Sequence, residues 1–301
     1  MAVKRVTIDP RLRLPYHTYV LRGLADAGYR VRFRRLDAPA HDGMAMLAGR
    51  RRIWVDTNDM AEVDEDAYEW CDVFGKVNCV AHDLATHPKI RLLGPLFGIR
   101  RWPTPRAYAV AAHLVATGGH PRKVLQGVRF QALTRLPISA YEPAASQSGY
   151  VFHRSRAWEG KHGGTNAPRE RFIAALESLH LDSTTALSGD RIPLAEYLTH
   201  TKRSSCAFNC PAVHACLGWK LGEYLALGKA IISTPLGREL PAPLVHGEHL
   251  HFVRDDVDSM RDAIALVDSD QAYRKQLEYG ARAWYEQHMS PLLVVARLLE
   301  N

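Results

Sequence analysis

The sequence predicts an α/β protein of two Rossmann-like lobes, with a deep interlobe cleft and a helical C-terminus. Three observations carry this. The chain has 301 residues, long for one hydrophobic core. Strand-like and helix-like patterns alternate from its start. The alternation stops at "ISAYEPAASQSG", residues 138–149, a polar stretch of small residues with a proline, and then begins again. The first lobe is therefore drawn as 1–145 and the second as 146–301. A cleft between two such lobes is a natural ligand site.

The first lobe opens with a strand in "VKRVTID", a loop in "PRLRLP" and a helix in "YHTYVLRGLADAG". That helix repeats apolar residues at Tyr16, Tyr19, Val20, Leu24 and Ala27 and stops at Gly28, suited to the positive φ of a helix end. "YRVRF" supplies the next strand, completing a βαβ start that implies a parallel sheet with its loops gathered at the strands' C-terminal ends. Arg30, Arg32 and Arg34 share one face of that strand, read as solvated ahead of the alternative of a membrane or nucleic-acid patch. "RRIWVDTND" and "DVFGKVNCVA" follow as strands, and "KIRLLGPLFGIRRWPTP" as a strand entering a loop. Residues 105–126 read as helical, interrupted by "ATGGHPR".

In the second lobe "YVFHRSRAW" is a strand, and "NAPRERFIAALESLHL" a helix with Asn166 placed to cap it and Pro168 tolerated in its first turn. "TTALSG" is a strand, "PLAEYLTHTKRS" a helix and "CAFNCPAV" a strand or turn. A helix from Trp219 to about Leu227 turns Leu221, Tyr224, Leu225 and Leu227 to a core, Gly228 ends it, and Ala230-Ile231-Ile232 forms a buried strand. The remainder is mostly helical.

Composition sets the class. The hydrophobic fraction is 47% and the charged fraction 24%, as in an ordinary soluble globular protein. No segment approaches the roughly 20 apolar residues of a membrane span, and none at the N-terminus suits a signal peptide. Five cysteines, an odd number, fit a reducing cytoplasm better than a disulfide framework. A net charge of +7 favours anionic partners, but no aromatic-interleaved basic motif points to nucleic acid.

The chemistry concentrates in "LGWKLGEYLALGK". Gly218 precedes a helix whose N-terminal amides and dipole suit an anion such as a diphosphate. Lys220 adds a positive charge there, and Glu223 lies three residues on. A carboxylate repels phosphate but accepts hydrogen bonds from vicinal hydroxyls, so the pattern suits a ligand carrying both phosphate and sugar. An exposed Lys–Glu pair of purely structural value is an equal reading.

"GWKLGEYLALGKAIIST", with "HGEHLHFVRDDVDSMRDAIALV" after it, resembles the donor-binding half of the group 1 glycosyltransferases of GT-B architecture. The resemblance is specific over 205–265, fair over 150–301 and weak in the N-terminal half. It implies a cytoplasmic enzyme, peripheral at the inner membrane face, that moves a sugar from a UDP- or GDP-type donor to a glycan or lipid-linked acceptor in polysaccharide biosynthesis. It further implies a retaining transfer with no metal and no cofactor beyond the nucleotide sugar. Glu223 falls on the second glutamate of the family's E-x7-E segment, associated with the donor's ribose, and Gly218, Trp219, Lys220 and Leu221 fall on the backbone facing phosphates and sugar. His246-Gly247 falls near the family's acidic-Gly loop. The first glutamate is replaced by Ala215; His214 beside it is a substitute hydrogen-bonding group or a solvated loop residue.

The resemblance also places a basic pair after the first strand of the second lobe. Arg156 and Lys161, with Arg154 nearby, match it and would stabilise the departing diphosphate. The Gly163-Gly164 pair beside them is a closing loop or a surface turn. In the first lobe, "DPRLRLPYH" occupies the place of the acceptor loop. Asp9 and His17 are candidates for acting on an acceptor hydroxyl, and Arg11 and Arg13 for holding an anionic acceptor. A turn cap and a passive helical histidine are equal readings there. Rival functions are a nucleotide-sugar epimerase or hydrolase of the same fold, and a nucleotide-binding subunit without catalysis. Cys206, Cys210 and Cys216 lack zinc spacing and read as small buried hydrophobes, and "HGEHLH" reads as a loop.

Overall fold

The computed structural model describes residues 4–300, apart from the side chains of residues 161–163. The chain divides into two compact units. The first comprises Met1–Ile138, Arg238–Pro241 and His288–Asn301, the second Ser139–Gly237 and Ala242–Gln287.

The first unit is built on six strands: β1 (Arg5–Ile8), β2 (Arg30–Phe33), β3 (Met44–Ala48), β4 (Arg51–Asp56), β5 (Val73–Lys76) and β6 (Ile90–Leu92). They lie in the order β2-β1-β3-β4-β5-β6. β1 pairs with β2 in parallel through α1 (Leu14–Asp26), as the βαβ reading requires, and Gly28 ends that helix at φ 78°. β3 runs antiparallel to both its neighbours. The sequence reading passes over it, because "MAMLA" has no alternation to mark a strand. What makes the hairpin with β4 is the two-residue turn Gly49-Arg50, with Gly49 at φ 64°. Short helices α2 (Glu65–Trp70) and α3 (Ala81–Thr86) follow β4 and β5. The helical stretch predicted over 105–126 is a pair, α4 (Thr104–Ala116) and α5 (Pro121–Thr134). Arg30 and Arg32 are exposed on edge strand β2 while Phe33 is buried, the arrangement of a charged edge that discourages further pairing.

The C-terminal helix α11 (Pro291–Leu299) belongs to the first unit, a return that a division at 145/146 does not contain. It packs on α1 at Gly23, where an added Cβ would lie 1.9 Å from the carbonyl oxygen of Pro291. Tyr19 donates to the carbonyl of Met289 at 2.6 Å beside it.

The second unit carries two parallel ladders. One joins β7 (Tyr150–Arg156) to β8 (Asp182–Ser188), the other runs β9 (Ala207–Asn209), β10 (Ile231–Ser233) and β11 (His251–Phe252). Ser204 and Ser205 link them. The Ser204 hydroxyl accepts from Phe152 N–H at 2.9 Å, and Ser205 N–H donates to the Tyr150 carbonyl at 2.8 Å. Around these strands lie α6 (Ala167–Glu177), α7 (Leu194–Arg203), α8 (Trp219–Ala226), α9 (Val257–Ser269) and α10 (Gln271–His288). The core stacks Phe172 on Phe208, centroids 4.3 Å apart, with Ile232 and Ile264 around them. Gly228 closes α8 at φ 57°, as its position predicts.

Asn166 departs from expectation. It does not cap α6; its amide oxygen accepts from Trp158 N–H at 2.9 Å and its amide nitrogen donates to Trp158 O at 2.8 Å. Both bonds are local in sequence and fix the turn after β7, and a single side chain cannot make them and also reach the first amides of α6.

Candidate functional site

In the second unit β7 runs parallel to β8, and β9, β10 and β11 run parallel to one another. The edge formed by the carboxyl ends of parallel strands is where ligands of α/β proteins gather. Arg154 to Arg156 end β7, and Ala157 and Trp158 follow it. After β9 comes the loop 210–218 and then α8. No side chain caps α8, whose N-cap is Gly218. Its first-turn amides therefore present the positive end of a helix dipole. A shallow hollow at this edge is lined by Asn209, Cys210, Cys216, Gly218, Leu221 and Gly237.

Of the residues predicted for phosphate, Lys220 meets the end of β7 here. The ammonium of Lys220 donates to the backbone carbonyl of Arg154 and, at 3.1 Å, to the hydroxyl of Ser155. Arg156 is exposed and lies over the ring of Trp158, 4.6 Å from its centroid. Arg154 reaches the Asp190 carbonyl at 3.4 Å, and its Nε is buried without a hydrogen-bond partner. Lys161 lies in a short 3-10 turn, Gly160–Asn166, and its side chain falls outside the described residues.

Two further side chains complete the cluster. Arg169, in the first turn of α6, donates to the Arg156 carbonyl at 3.0 Å. His153 is buried with Nε2 2.9 Å from Ser155 Oγ. Burial is the main force holding His153 well below its ordinary pKa, with the charges of Lys220 and Arg169 adding to it. The imidazole is neutral at physiological pH. Burial likewise brings Lys220 down to about 8, helped by Arg169 and opposed by Glu223. The edge thus sets Lys220, with the charge of Arg169 acting on it, at an uncapped helix start. Chemically it suits an anion with more than one charged oxygen.

Glu223 turns the other way. It is 4% exposed, on the inward face of α8, with one oxygen 3.4 Å from the Tyr141 hydroxyl. Lys220 turns instead to the end of β7, so the two do not share an outward face. Leu221 is core, and Trp219 is half-buried at the helix start. Gly218 adopts φ −75°, ψ 155°, open to any residue, and an added Cβ would meet only Ala212 Cβ at 3.5 Å. The sharp geometry lies just before it. His214 and Ala215 both take left-handed conformations, φ 58° and 54°, and both are exposed. Each costs about 1–2 kcal/mol for a residue with a Cβ, so the loop in the position of the E-x7-E start is held in a strained turn.

In the first unit the predicted acceptor residues serve the β1–α1 loop. Asp9 is buried and accepts from Arg11 N–H, Nε and Nη2 at 2.9, 2.8 and 2.8 Å and from Leu36 N–H at 2.9 Å. Burial works to raise its pKa, but the bonds from Arg11 and Leu36 outweigh it and the pKa is lowered. His17 is fully buried; its Nδ1 accepts from Arg13 N–H at 3.1 Å and Nε2 lies 3.4 Å from Thr57 Oγ1. Burial takes it to about 3, with Arg13 contributing. Arg13 lies 3.4 Å from Asp42. Deeper at this edge, Lys76 donates to Asp56 at 2.7 Å and to the Glu62 carbonyl at 2.9 Å, both side chains buried.

Among the described residues, the His/Cys/Asp/Glu group close enough to hold a metal ion is His41, Asp64 and Asp66, in the first unit. "HGEHLH" is a turn from His246 to Leu250 whose last residue, His251, opens β11, where the sequence predicted a loop throughout. His246 and His249 accept from the backbone N–H groups of Phe252 and Val245. The cysteines are free and buried, except Cys210, which is partly exposed beside the cation cluster.

Sequence reading missed Arg169, Ser155, His153 and the Asp56–Lys76 pair. Arg169 left a signal: a cation in the first turn of a helix opposes the dipole, so its place there needs another partner. The others left none, since a buried Ser, His or Lys is identified by its neighbours and not by its spacing.

No family model matches the sequence, and no curated protein matches it. Solved structures do. A glycosyltransferase from Rickettsia africae is 10% identical over 95% of this chain and 82% of that one, with a TM-score of 0.47. Sucrose-phosphate synthase from Thermosynechococcus elongatus is 12% identical over 92% and 89%, TM-score 0.45. HepE of Anabaena, solved with UDP and glucose, is 13% identical over 92% and 87%, TM-score 0.40. Each likeness stays below a TM-score of 0.5 and decides nothing about this chain's chemistry.

Proposed function

We propose that this chain is a glycosyltransferase that takes a sugar from a nucleotide-diphosphate donor and places it on an acceptor hydroxyl, retaining the anomeric configuration without a metal. The observation that carries the proposal is the tie between Lys220 and the Arg154 carbonyl, which sets the start of α8 beside the basic end of β7. The diphosphate lies against the α8 amides, where Lys220, Arg154 and Arg169 supply positive charge. As the bond from anomeric carbon to diphosphate breaks and the acceptor oxygen bonds to that carbon, the leaving group gains negative charge. Fixed cations, Arg156 and Lys161 in this assignment, stabilise it without reorganising. The acceptor's proton leaves with the diphosphate or to solvent. The acceptor, a glycan or lipid-linked hydroxyl, belongs to the first unit, and a cytoplasmic enzyme with a peripheral contact at the inner membrane face fits it.

Glu223 is given the donor's ribose by the family resemblance, and its burial makes it the residue to test. Thermal unfolding is followed with UDP, GDP, ADP, TDP and CDP for the wild type and Glu223→Ala. At 100 Kd a bound nucleotide stabilises by about 2.7 kcal/mol. One nucleotide stabilising the wild type, and the variant much less, identifies the base and supports the ribose role. Equal shifts remove Glu223 from the donor site. No shift with any nucleotide removes the donor reading itself.

A further inference from the structure

The sequence holds an acid-free tract. Residues 84–141 contain no Asp or Glu, although the chain has 32 acidic residues in all, and they carry Lys89, Arg91, Arg100, Arg101, Arg106, Arg122, Lys123, Arg129 and Arg135. The tract ends in α4 and α5, which pack on each other in the first unit. In α5, Val124, Val128 and Ala132 are buried. The opposite stripe, at positions 122, 125, 126, 129 and 133, is solvent-facing and alternates charge with leucine: Arg122, Leu125, Gln126, Arg129, Leu133. Leu125 is 47% and Leu133 62% exposed. In α4, Tyr108 and Val115, two turns apart, are exposed as well. The side chains of Arg106, Arg122, Lys123 and Arg129 form no ion pair or hydrogen bond with any described residue.

A second basic row adjoins the hairpin. Arg35, just after β2, donates to the Gly118 carbonyl in the α4–α5 turn at 3.4 Å, and Phe33 meets His113 of α4 at a centroid distance of 6.1 Å. The exposed Arg34, next to Arg35, is thus carried toward the turn that joins the two helices, and the exposed Arg32 and Arg30 continue the row back along the edge strand. Exposed leucines repeating along one face are costly in water, and unpaired arginines between them oppose self-association through like charge. A surface that is both anionic and apolar satisfies both groups. Arginine guanidinium groups meet lipid phosphates while leucine and tyrosine side chains enter the acyl boundary.

We infer that the α4–α5 face docks on an anionic lipid surface, with Arg122 and Arg129 binding headgroup phosphates and Leu125 and Leu133 inserting. This locates the peripheral contact of the proposed function and does not depend on the donor chemistry.

The full chain is sedimented with vesicles of phosphatidylglycerol and phosphatidylcholine, and with phosphatidylcholine alone, at low and high salt. The wild type is expected to bind only the anionic vesicles, and less at high salt. Arg122→Gln with Arg129→Gln lowers the partition coefficient by about fivefold per arginine. Leu125→Ser with Leu133→Ser also releases the protein, while both doubles keep the wild-type melting temperature and its shift, or lack of shift, with nucleotide. Absence of binding to anionic vesicles overturns the inference. So does binding that neither double alters, and so does leucine-insensitive binding matched by heparin, which marks a polyanion site. A dimer in light scattering that the leucine double dissociates overturns it in favour of a second copy of this chain. A nucleotide result moves none of these readouts, so failure of the donor reading remains distinguishable.

Discussion

Lys220, in the first turn of α8, donates its ammonium protons to the Arg154 carbonyl and the Ser155 hydroxyl near the end of β7. Two of its three protons are therefore committed to the protein, and the charge is held in place, not swung on a flexible stem. Residues 66 apart in the sequence become one electrostatic feature.

That feature predicts a pH dependence for nucleotide-diphosphate binding. With Lys220 near 8, the cation is present below that pH and lost above it. Affinity should fall as pH rises from 7 to 9. Lys220→Met should weaken binding about tenfold or more at pH 7, the loss of one charge-assisted contact, and should flatten the pH profile. Calorimetric titration at pH 7, 8 and 9 checks both. A variant whose affinity still falls across that range assigns the titration to another group.

Much of the fold is legible in the sequence because period and punctuation agree. The βαβ start, Gly28 and Gly228 at positive φ, β7, β8, α7 and α8 all follow from apolar spacing and helix-end glycines. β3 does not, since a strand buried within a sheet need not alternate. The return of α11 to the first unit does not either, because it depends on Gly23 leaving room for Pro291, a contact between distant segments. At the candidate site, the helix start and the basic strand end were readable as two motifs. That Lys220 bonds to β7 and Glu223 faces Tyr141 was not, because spacing at i, i+3 gives a shared side of a helix but not which neighbour each side chain meets. Asn166 shows the same limit: a good N-cap residue in the right place took a different partner.

The buried pair Asp56–Lys76 predicts a large and asymmetric stability effect. Lys76 lies on β5 in register with Asp56 on β4, and the amine also donates to the Glu62 carbonyl. Lys76→Met leaves the carboxylate buried without its counter-charge, which costs about 3–5 kcal/mol. Asp56→Asn in the same chain keeps an acceptor for Asn58 N–H, now 2.8 Å from the carboxylate, and removes the charge, so the double variant should recover at least half the loss. Urea unfolding of the two variants decides it. A loss below about 1 kcal/mol for Lys76→Met would mean that water or a rearranged loop already solvates Asp56.

His17 predicts acid sensitivity. Buried beneath the β1–α1 loop and lowered to about 3, it is neutral in the folded protein, whereas in the unfolded chain it titrates near its ordinary 6.5. Between those values the unfolded state binds the extra proton. The contribution of His17 is therefore complete above pH 6.5 and is lost as pH falls toward 3, at about 1.4 kcal/mol per pH unit. His153, lowered for the same reason, acts in the same direction, so the wild-type slope alone cannot assign the effect. His17→Asn can, because an amide oxygen still accepts from Arg13 N–H, 3.1 Å away, and does not titrate. Unfolding free energies from pH 7 to 4.5 should fall less steeply in the variant by about that amount per unit. Parallel curves would show that His17 is protonated in the folded protein too, and that the loop opens to water before the rest of the first unit unfolds.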